Sequence, residues 1–273
     1  MKNIKAIAIG GFDGMHIGHQ RLFEAVGKTG AVLVIETGYA NLTPGQAREH
    51  YTDLPVFYYE LEDIRHLDAK GFIEKLSEEF PKLEKIVVGY DFHFGKDRRY
   101  AIDDLREYFS GEVEVIDEVK IDNDSVHSHK IRAKLQIGDI KGANRFLGYN
   151  YTIHGEKVPG QGLGKKELFA TINIDVKGFL LPKEGVYVTF ARLDDEEHYH
   201  PAVTFIGHRV TTDGSFAVET HILDREVGDI KRVRISFVDF IRPNQKFENL
   251  ESLKAAIADD IAIAKRDTQR LSL

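Results

Sequence analysis

The stretch "GGFDGMHIGHQRL", residues 10–22, sets two histidines three positions apart behind a glycine pair. An apolar run, "IKAIAIG", precedes it, and Leu22, Phe23 and Val26 follow at helical spacing. The segment reads as strand, tight turn and helix, with His16 and His19 near the helix's first turn. Free N–H groups and the positive end of the helix dipole favour phosphate at that place. A zinc pair on a helix wants i and i+4 spacing and a third ligand nearby, and this stretch offers neither. Spacing alone leaves two readings open: groups that handle phosphate, or polar caps at a helix start.

Three further stretches carry residues suited to chemistry. "VGYDFHFGKDRR" (88–99) leaves an apolar strand and brings Asp91, Phe92 and Arg98 to the edge of a sheet; bare, its aromatics are core and its arginine solvated. "VHSHKIR" (126–132) sets Ser128 and Arg132 at a second helix start. "GEKVPGQGLGKKELFATINI" (155–174) is rich in glycine and lysine. It is not a P-loop, because the interval from Gly160 to Gly164 and Lys165 is one residue short and no Ser or Thr follows the lysine. Its glycine pattern alone reads as a hairpin.

The elements that must position these residues fall into two sets. "IKAIAIG" (4–10), "AVLVIE" (31–36), "KIVVGY" (85–90) and "VEVID" (113–117) are β-rich runs of the kind buried on both faces of a parallel sheet. Between them Phe72, Ile73, Leu76 and Phe80, and then Ile102, Leu105 and Phe109, recur at helical spacing. This alternation predicts an α/β doubly wound parallel sheet, Rossmann-like, over residues 1–148. Over 149–273 the pattern changes. "GVYVTFARL" (185–193), "HPAVTFIG" (200–207), "FAVETHIL" (216–223) and "RVRISFVDF" (232–240) are strands without helices between them, and only at the end do Leu250, Leu253, Ile257 and Ile261 form a helical stripe. A smaller antiparallel β-barrel domain with a C-terminal helix is expected there, joined at "LGYNY" (147–151).

Composition narrows the function. The 273 residues are 42% hydrophobic and 30% charged, ordinary for a soluble protein. The formal net charge of −7 argues against nucleic acid as a partner and leaves any anionic ligand to local donors. With no cysteine there is no disulfide, thiolate zinc site or cysteine nucleophile, which suits a reducing cytoplasm. The opening apolar run is too short for a signal peptide and no stretch approaches a membrane span, so no membrane partner is expected and the protein is placed in the cytoplasm.

"GGFDGMHIGHQRL" resembles the signature of the nucleotidylyltransferase superfamily, and its GxFDGxHxGH form is similar to that of prokaryotic FAD synthetases. That resemblance implies an ATP site made by Gly11, Phe12, Asp13, Gly14 and Gly18, with His16 and His19 stabilising charge that develops on the α-phosphate. Gly11 and Gly14 would let the backbone approach the nucleotide, and Gly18 would leave room between the two imidazoles. Residues 88–99 resemble the family's G-x-D-F-x-F-G-x-x-R, which implies flavin contacts from Asp91, Phe92 and Arg98. Residues 126–132 resemble I-S-S-T-x-I-R, with Ser128 and Arg132 kept to grip the triphosphate and His127 and His129 in place of Ser and Thr. Where the family has a Phe-x-Pro-His-Pro run, this chain reads "VIETGYANLTPG" (34–45).

The second half resembles the riboflavin kinase domain of bifunctional FAD synthetases. Gly160, Gly162, Gly164, Phe169, Thr171, Asn173 and Ile174 match its G-x-G-x-G-R-x-L-G-F-P-T-A-N-I, while Lys165 stands for Arg, Leu168 for Gly and Ala170 for Pro. The match implies nucleotide phosphate at Gly160, Gly162, Gly164 and Lys165, and a magnesium–nucleotide complex on Thr171 and Asn173. By the same resemblance Glu219 is the general base for a ribityl hydroxyl, and Arg242 meets the flavin. The implied activity is phosphorylation of riboflavin to FMN and adenylylation of FMN to FAD, with ATP as substrate, Mg2+ as cofactor and pyrophosphate released. Two other readings keep the scaffold: an adenylyltransferase with a weak or silent kinase domain, and a non-catalytic flavin-binding regulator.

Overall fold

A computed structural model describes residues 1, 3–160, 169–211 and 213–270. The chain divides into two compact units, Met1–Ser128 and His129–Leu273.

In the first unit the strands are β1 (Ala6–Gly10), β2 (Ala31–Glu36), β3 (Val56–Glu60), β4 (Lys85–Gly89) and β5 (Glu112–Ile116). They form a parallel sheet in the order β3-β2-β1-β4-β5. The helices are α1 (Ile17–Val26), the single turn α2 (Leu61–Ile64), α3 (Ala69–Glu79) and α4 (Ile102–Tyr108), and a small hairpin β6 (Lys120–Ile121) and β7 (Asp124–Ser125) follows. Side chains alternate along each strand, so the sheet has two cores. Ile7, Ile9, Leu33, Ile86 and Val88 pack with Phe72, Leu76 and Leu105 of α3 and α4. Ala6, Ala8, Val32, Val34 and Val87 pack with Leu22, Phe23 and Val26 of α1. The strand order reverses between β1 and β4, and in open α/β sheets ligands bind beyond the carboxyl ends of the strands at such a point. The loops after β1 and β4 carry the histidine and Asp-Phe motifs. Of the five strands of this sheet, β3, "VFYYE", escaped the sequence reading: it is an edge strand whose half-buried aromatic positions lack the continuous aliphatic run of its neighbours.

The second unit opens with α5, numbered from Ser128 to Ile137, and α6 (Ile140–Leu147), which stops at left-handed Gly148. Strands β8 (Thr152–Val158), β9 (Ile172–Val176), β10 (Gly185–Leu193), β11 (His200–His208), β12 (Phe216–Ile222) and β13 (Arg232–Pro243) close, among the described residues, into an antiparallel barrel ordered β10-β11-β12-β9-β8-β13. Along β10 the period-two rule separates Tyr187 and Thr189, which sit with Phe237 and Thr204, from Val186 and Val188, which pack outward with Ala264 of α7 (Leu250–Gln269). Sequence put the buried stripe of α7 at Leu250, Leu253, Ile257 and Ile261. Leu250 is exposed, and the most buried positions are Asp260, Ala264 and Thr268, because an ion pair from Asp260 to Arg242 sets the face. Among the described residues no helix is long and apolar enough to cross a membrane.

Candidate functional site

The turn after β1 is strained. Phe12 (φ 48°) and Met15 (φ 40°) lie in the left-handed region beside Gly14 (φ 85°), a conformation that costs a non-glycine residue roughly 1–3 kcal/mol. Both strained side chains are buried in the α1 core, which holds the turn in place. The result aims His16 at the start of α1 as its N-cap, its Nδ1 accepting the backbone N–H of His19 at 3.4 Å. An Nδ1 that accepts leaves the ring proton on Nε2, so His16 offers one N–H donor. The two imidazoles stack with centroids 3.6 Å apart, and Phe12 meets the His19 ring edge-on at 5.2 Å.

Burial pushes the His16 imidazole down to about 3, helped by the nearby charge of His127. Burial also holds His19 well below the usual histidine range, with His16, Arg48 and His127 adding to the effect. Both rings are therefore neutral at pH 7. His19 Nδ1 is buried with no hydrogen-bond partner, and an unsatisfied ring nitrogen in a native fold asks for a functional explanation. Gly18 does not open a gap between the imidazoles, which are in contact; a Cβ there would lie 3.1 Å from His16 Cε1, so the glycine makes room for the His16 ring itself. At Gly11 a Cβ would meet only Ile35 O, at 3.9 Å, leaving the approach to the turn open.

Asp13 faces the protein. Its Oδ1 accepts the N–H groups of Leu42 and Thr43 at 2.9 Å each and its Oδ2 accepts that of Asn41 at 3.2 Å, tying the loop after β2 to the histidine turn. Thr43 Oγ1 accepts the Gly14 N–H at 2.7 Å, Gln20 Nε2 donates to Met15 O, and Ser128 Oγ donates to Asp13 O at 2.7 Å. Sequence reasoning missed Thr43, Gln20 and Arg48; Thr43 meets Gly14 from 29 positions away, and Gln20 Nε2 also donates to Tyr51 O, 31 positions on. Arg48 is fully buried and paired with Glu36 at 2.7 Å, in the segment that departs from the family's pattern.

Beyond β4, Phe92 lines a cavity of about 310 Å³ with Tyr90, His93, Ala101, Ile102, Asp103, Arg106 and Val115. Asp91 and Arg98 are exposed beside it in the chain, and Phe94 is core. His127 Nε2 lies 3.4 Å from Tyr90 Oη and 3.6 Å from Glu118 Oε1. Arg132 belongs to the second unit, half-buried on α5.

In the barrel, Asn173 on β9 pairs directly with Glu219 on β12. The Arg209 guanidinium bridges them: Nε and Nη2 donate to Glu219 Oε1 at 2.9 and 2.5 Å, and Nη2 also donates to Asn173 Oδ1. A Cβ at Gly160 would lie 2.2 Å from Asn173 Nδ2, so a larger residue there would push the Asn173 amide aside. Thr171 sits one residue before β9. Where Ala170 replaces the family's proline, His221 Nδ1 holds the Ala170 carbonyl at 2.7 Å and the Phe169 ring packs edge-on against His221. Gly162, Gly164, Lys165 and Leu168 lie outside the described residues.

Arg242 is paired through Nε and Nη2 with the buried Asp260, at 2.9 and 2.8 Å, which ties α7 to the barrel. As for a metal, no group of three or more His, Asp or Glu among the described residues is placed to hold one. A hydroxyl and an amide oxygen, from Thr171 and Asn173, are hard donors that fit magnesium carried largely by nucleotide phosphate and water.

Two family models match the chain. A family model described as riboflavin kinase matches residues 147–268, and one described as FAD synthetase matches residues 52–130. A bifunctional riboflavin kinase/FMN adenylyltransferase of Pseudomonas fluorescens is 30% identical over 94% of this chain and 91% of its own. Proteins of the same description from Listeria monocytogenes and Mycoplasma pneumoniae are each 29% identical, covering 94% and 96% of this chain and 90% and 97% of theirs. A crystal structure titled as a macrolide-efflux protein from Streptococcus pneumoniae has the same fold, with a TM-score of 0.84 at 24% identity over 97% of this chain and 95% of that one. With the ordered motifs, both family models and full-length relatives in agreement, the chain belongs to the bifunctional riboflavin kinase/FMN adenylyltransferase family.

Proposed function

We propose that the chain makes FAD from riboflavin in two ATP-dependent steps, with residues 149–273 phosphorylating riboflavin and residues 1–148 adenylylating the FMN formed. The observation that carries the second step is the stacked, buried imidazole pair at the N-terminus of α1, with His19 Nδ1 unsatisfied.

A phosphate oxygen of FMN attacks the α-phosphorus of ATP in line, and the bond to pyrophosphate breaks with its electron pair leaving on pyrophosphate. His16 and His19 act as neutral, preorganised donors to the phosphate oxygens where charge builds up, an effect of the oxyanion-hole kind. The open N–H groups of the α1 N-terminus add the positive end of the helix. Gly11 and Gly14 admit the nucleotide, Phe12 and Asp13 hold the turn, and Ser128 fixes it from the start of α5. Asp91, Phe92 and Arg98, beside the cavity beyond β4, receive the flavin.

In the barrel the terminal ribityl hydroxyl attacks the γ-phosphorus, Glu219 takes its proton, and ADP leaves. Thr171 and Asn173 hold the magnesium–nucleotide complex, with Gly160, Gly162, Gly164 and Lys165 on the phosphates. When bound, magnesium neutralises phosphate charge at both sites. The weak-kinase reading rests on Ala170 and Leu168; the bond from His221 to the Ala170 carbonyl supports a formed site instead. The ligands are small molecules, and the setting is the cytoplasm.

Incubation with riboflavin, ATP and Mg2+, separating FMN from FAD over time, tests both steps. FMN then FAD is expected, with one pyrophosphate per FAD. FAD from added FMN but no FMN from riboflavin refutes the kinase half. A His19→Ala change that leaves FAD formation intact refutes the role of the pair, since removing one such donor costs about a hundredfold or more in rate.

A further inference from the structure

Both residues assigned to proton transfer and nucleotide binding in the barrel are held by one side chain that neither motif includes. Arg209 follows the end of β11 at the base of the hairpin to β12, and its backbone N–H donates to Ser215 O across that hairpin at 2.9 Å. Its guanidinium is fixed on three sides: Nη1 donates to Ser215 Oγ at 2.7 Å, Nε and Nη2 donate to Glu219 Oε1, and Nη2 reaches Asn173 Oδ1. Ser215 Oγ is itself oriented by Asp213 Oδ1 at 2.8 Å. The planar fork of an arginine suits this kind of bridging, because its donors are preorganised in fixed directions.

The geometry sorts the two oxygens of Glu219. Hydrogen bonds among the described residues converge on Oε1, and Oε2 carries none. Asn173 and Glu219 are directly opposed on neighbouring antiparallel strands, so their oxygens share one face at close range. A cation between them holds both in place. We propose that Arg209 is a positioning residue of the kinase step, clamping Asn173 and Glu219 at a fixed separation so that Oε2 of Glu219 is the oxygen presented to the ribityl hydroxyl. In that step the hydroxyl proton passes to Oε2 as the oxygen bonds to the γ-phosphorus and ADP departs, while Oε1 stays bound to Arg209. The inference rests on the assignment of Glu219 as the base.

The test compares Arg209→Gln, Arg209→Lys, Ser215→Ala and Glu219→Gln in the full chain. The readouts are kcat and KM for FMN formation, Mg–ADP affinity by calorimetry, and FMN adenylylation as an internal control for folding. Arg209→Gln is expected to lower kcat for FMN formation by about tenfold to a hundredfold, the scale of a misplacement near 1 Å. KM for riboflavin should stay within about threefold, because only a group that acts in the transition state has moved. FMN adenylylation should also stay within about threefold, whereas Mg–ADP affinity should weaken, because Asn173 loses the guanidinium that orients it. Arg209→Lys should recover little, since a point charge cannot bridge both partners. If Arg209→Gln fails to fold its barrel, Ser215→Ala decides, with a few-fold loss of kcat expected from a loosened guanidinium. A kcat within twofold of wild type for Arg209→Gln, a loss confined to KM, or full recovery by Lys would each overturn the clamp. A Glu219→Gln variant with intact kcat would instead overturn the base assignment, whereas an inactive Glu219→Gln beside a normal Arg209→Gln would remove the clamp alone.

Discussion

Acid should loosen the histidine turn in a way that one substitution abolishes. The His16 imidazole is 5% exposed and held down to about 3, against 6.5 for an ordinary histidine. Between those two values the unfolded chain binds a proton that the folded chain refuses, so stability rises with pH across this window and falls as pH drops through it. His16 therefore contributes nothing to the pH dependence above 6.5, and below it the loss grows by about 1.4 kcal/mol per pH unit, reaching about 2 kcal/mol at pH 5. His16→Gln keeps a polar side chain at the N-cap and cannot take up that proton. Amide hydrogen exchange over residues 6–26, compared at pH 7.5 and pH 5 after correction for intrinsic rates, reads the difference in the intact chain. Wild type should lose about 2 kcal/mol more protection than His16→Gln, and His19, lowered for the same reason, adds to the wild-type loss. In parallel, the His16 ring resonances of the ligand-free protein should not move between pH 8 and pH 5. A His16 midpoint near 6.5, or equal acid sensitivity in the two proteins, would refute the claim that these imidazoles are buried and neutral.

Other substitutions read the supporting contacts. Gly18→Ala drives a methyl to within 3.1 Å of the His16 ring and should lower FAD formation from FMN at least about tenfold while riboflavin phosphorylation continues, as a two-step assay would show. Asp13→Ala leaves three backbone N–H groups without their acceptor and should cost about 1–3 kcal/mol in denaturant unfolding of the first unit, with KM for ATP raised. Arg242→Met strands the Asp260 carboxylate at 3% exposure; a loss of about 3–5 kcal/mol should lower the melting temperature of the barrel, and an unchanged melt would show that the pair does not hold α7.

Much of this is legible in the sequence wherever the information is local. The buried runs at residues 4–10, 31–36 and 85–90 show themselves because a strand covered on both faces has few polar positions. The histidine turn shows itself because glycine, histidine and the following helix lie within thirteen residues of chain. What stays hidden is pairing at a distance. The edge strand β3 has polar neighbours, and β8, "TIHGEKV", alternates too weakly to announce itself. Ser128 meets Asp13 from 115 positions away, and Arg209 meets Asn173 from 36, separations at which no spacing rule applies. The pair of Arg242 and Asp260 is hidden for the same reason, its partners lying 18 positions apart.

The two units handle like chemistry with opposite electrostatics. In the parallel-sheet unit the groups proposed to meet polyphosphate are titratable bases kept uncharged by burial, and their mutual stacking is tolerable only in that state, since two imidazolium rings 3.6 Å apart would repel. In the barrel the group proposed to remove a proton is a carboxylate, and the arginine on its other oxygen anchors it. Neither proposed arrangement needs a charged cluster open to solvent, which suits an acidic chain of net charge −7 to ligands that are themselves anionic.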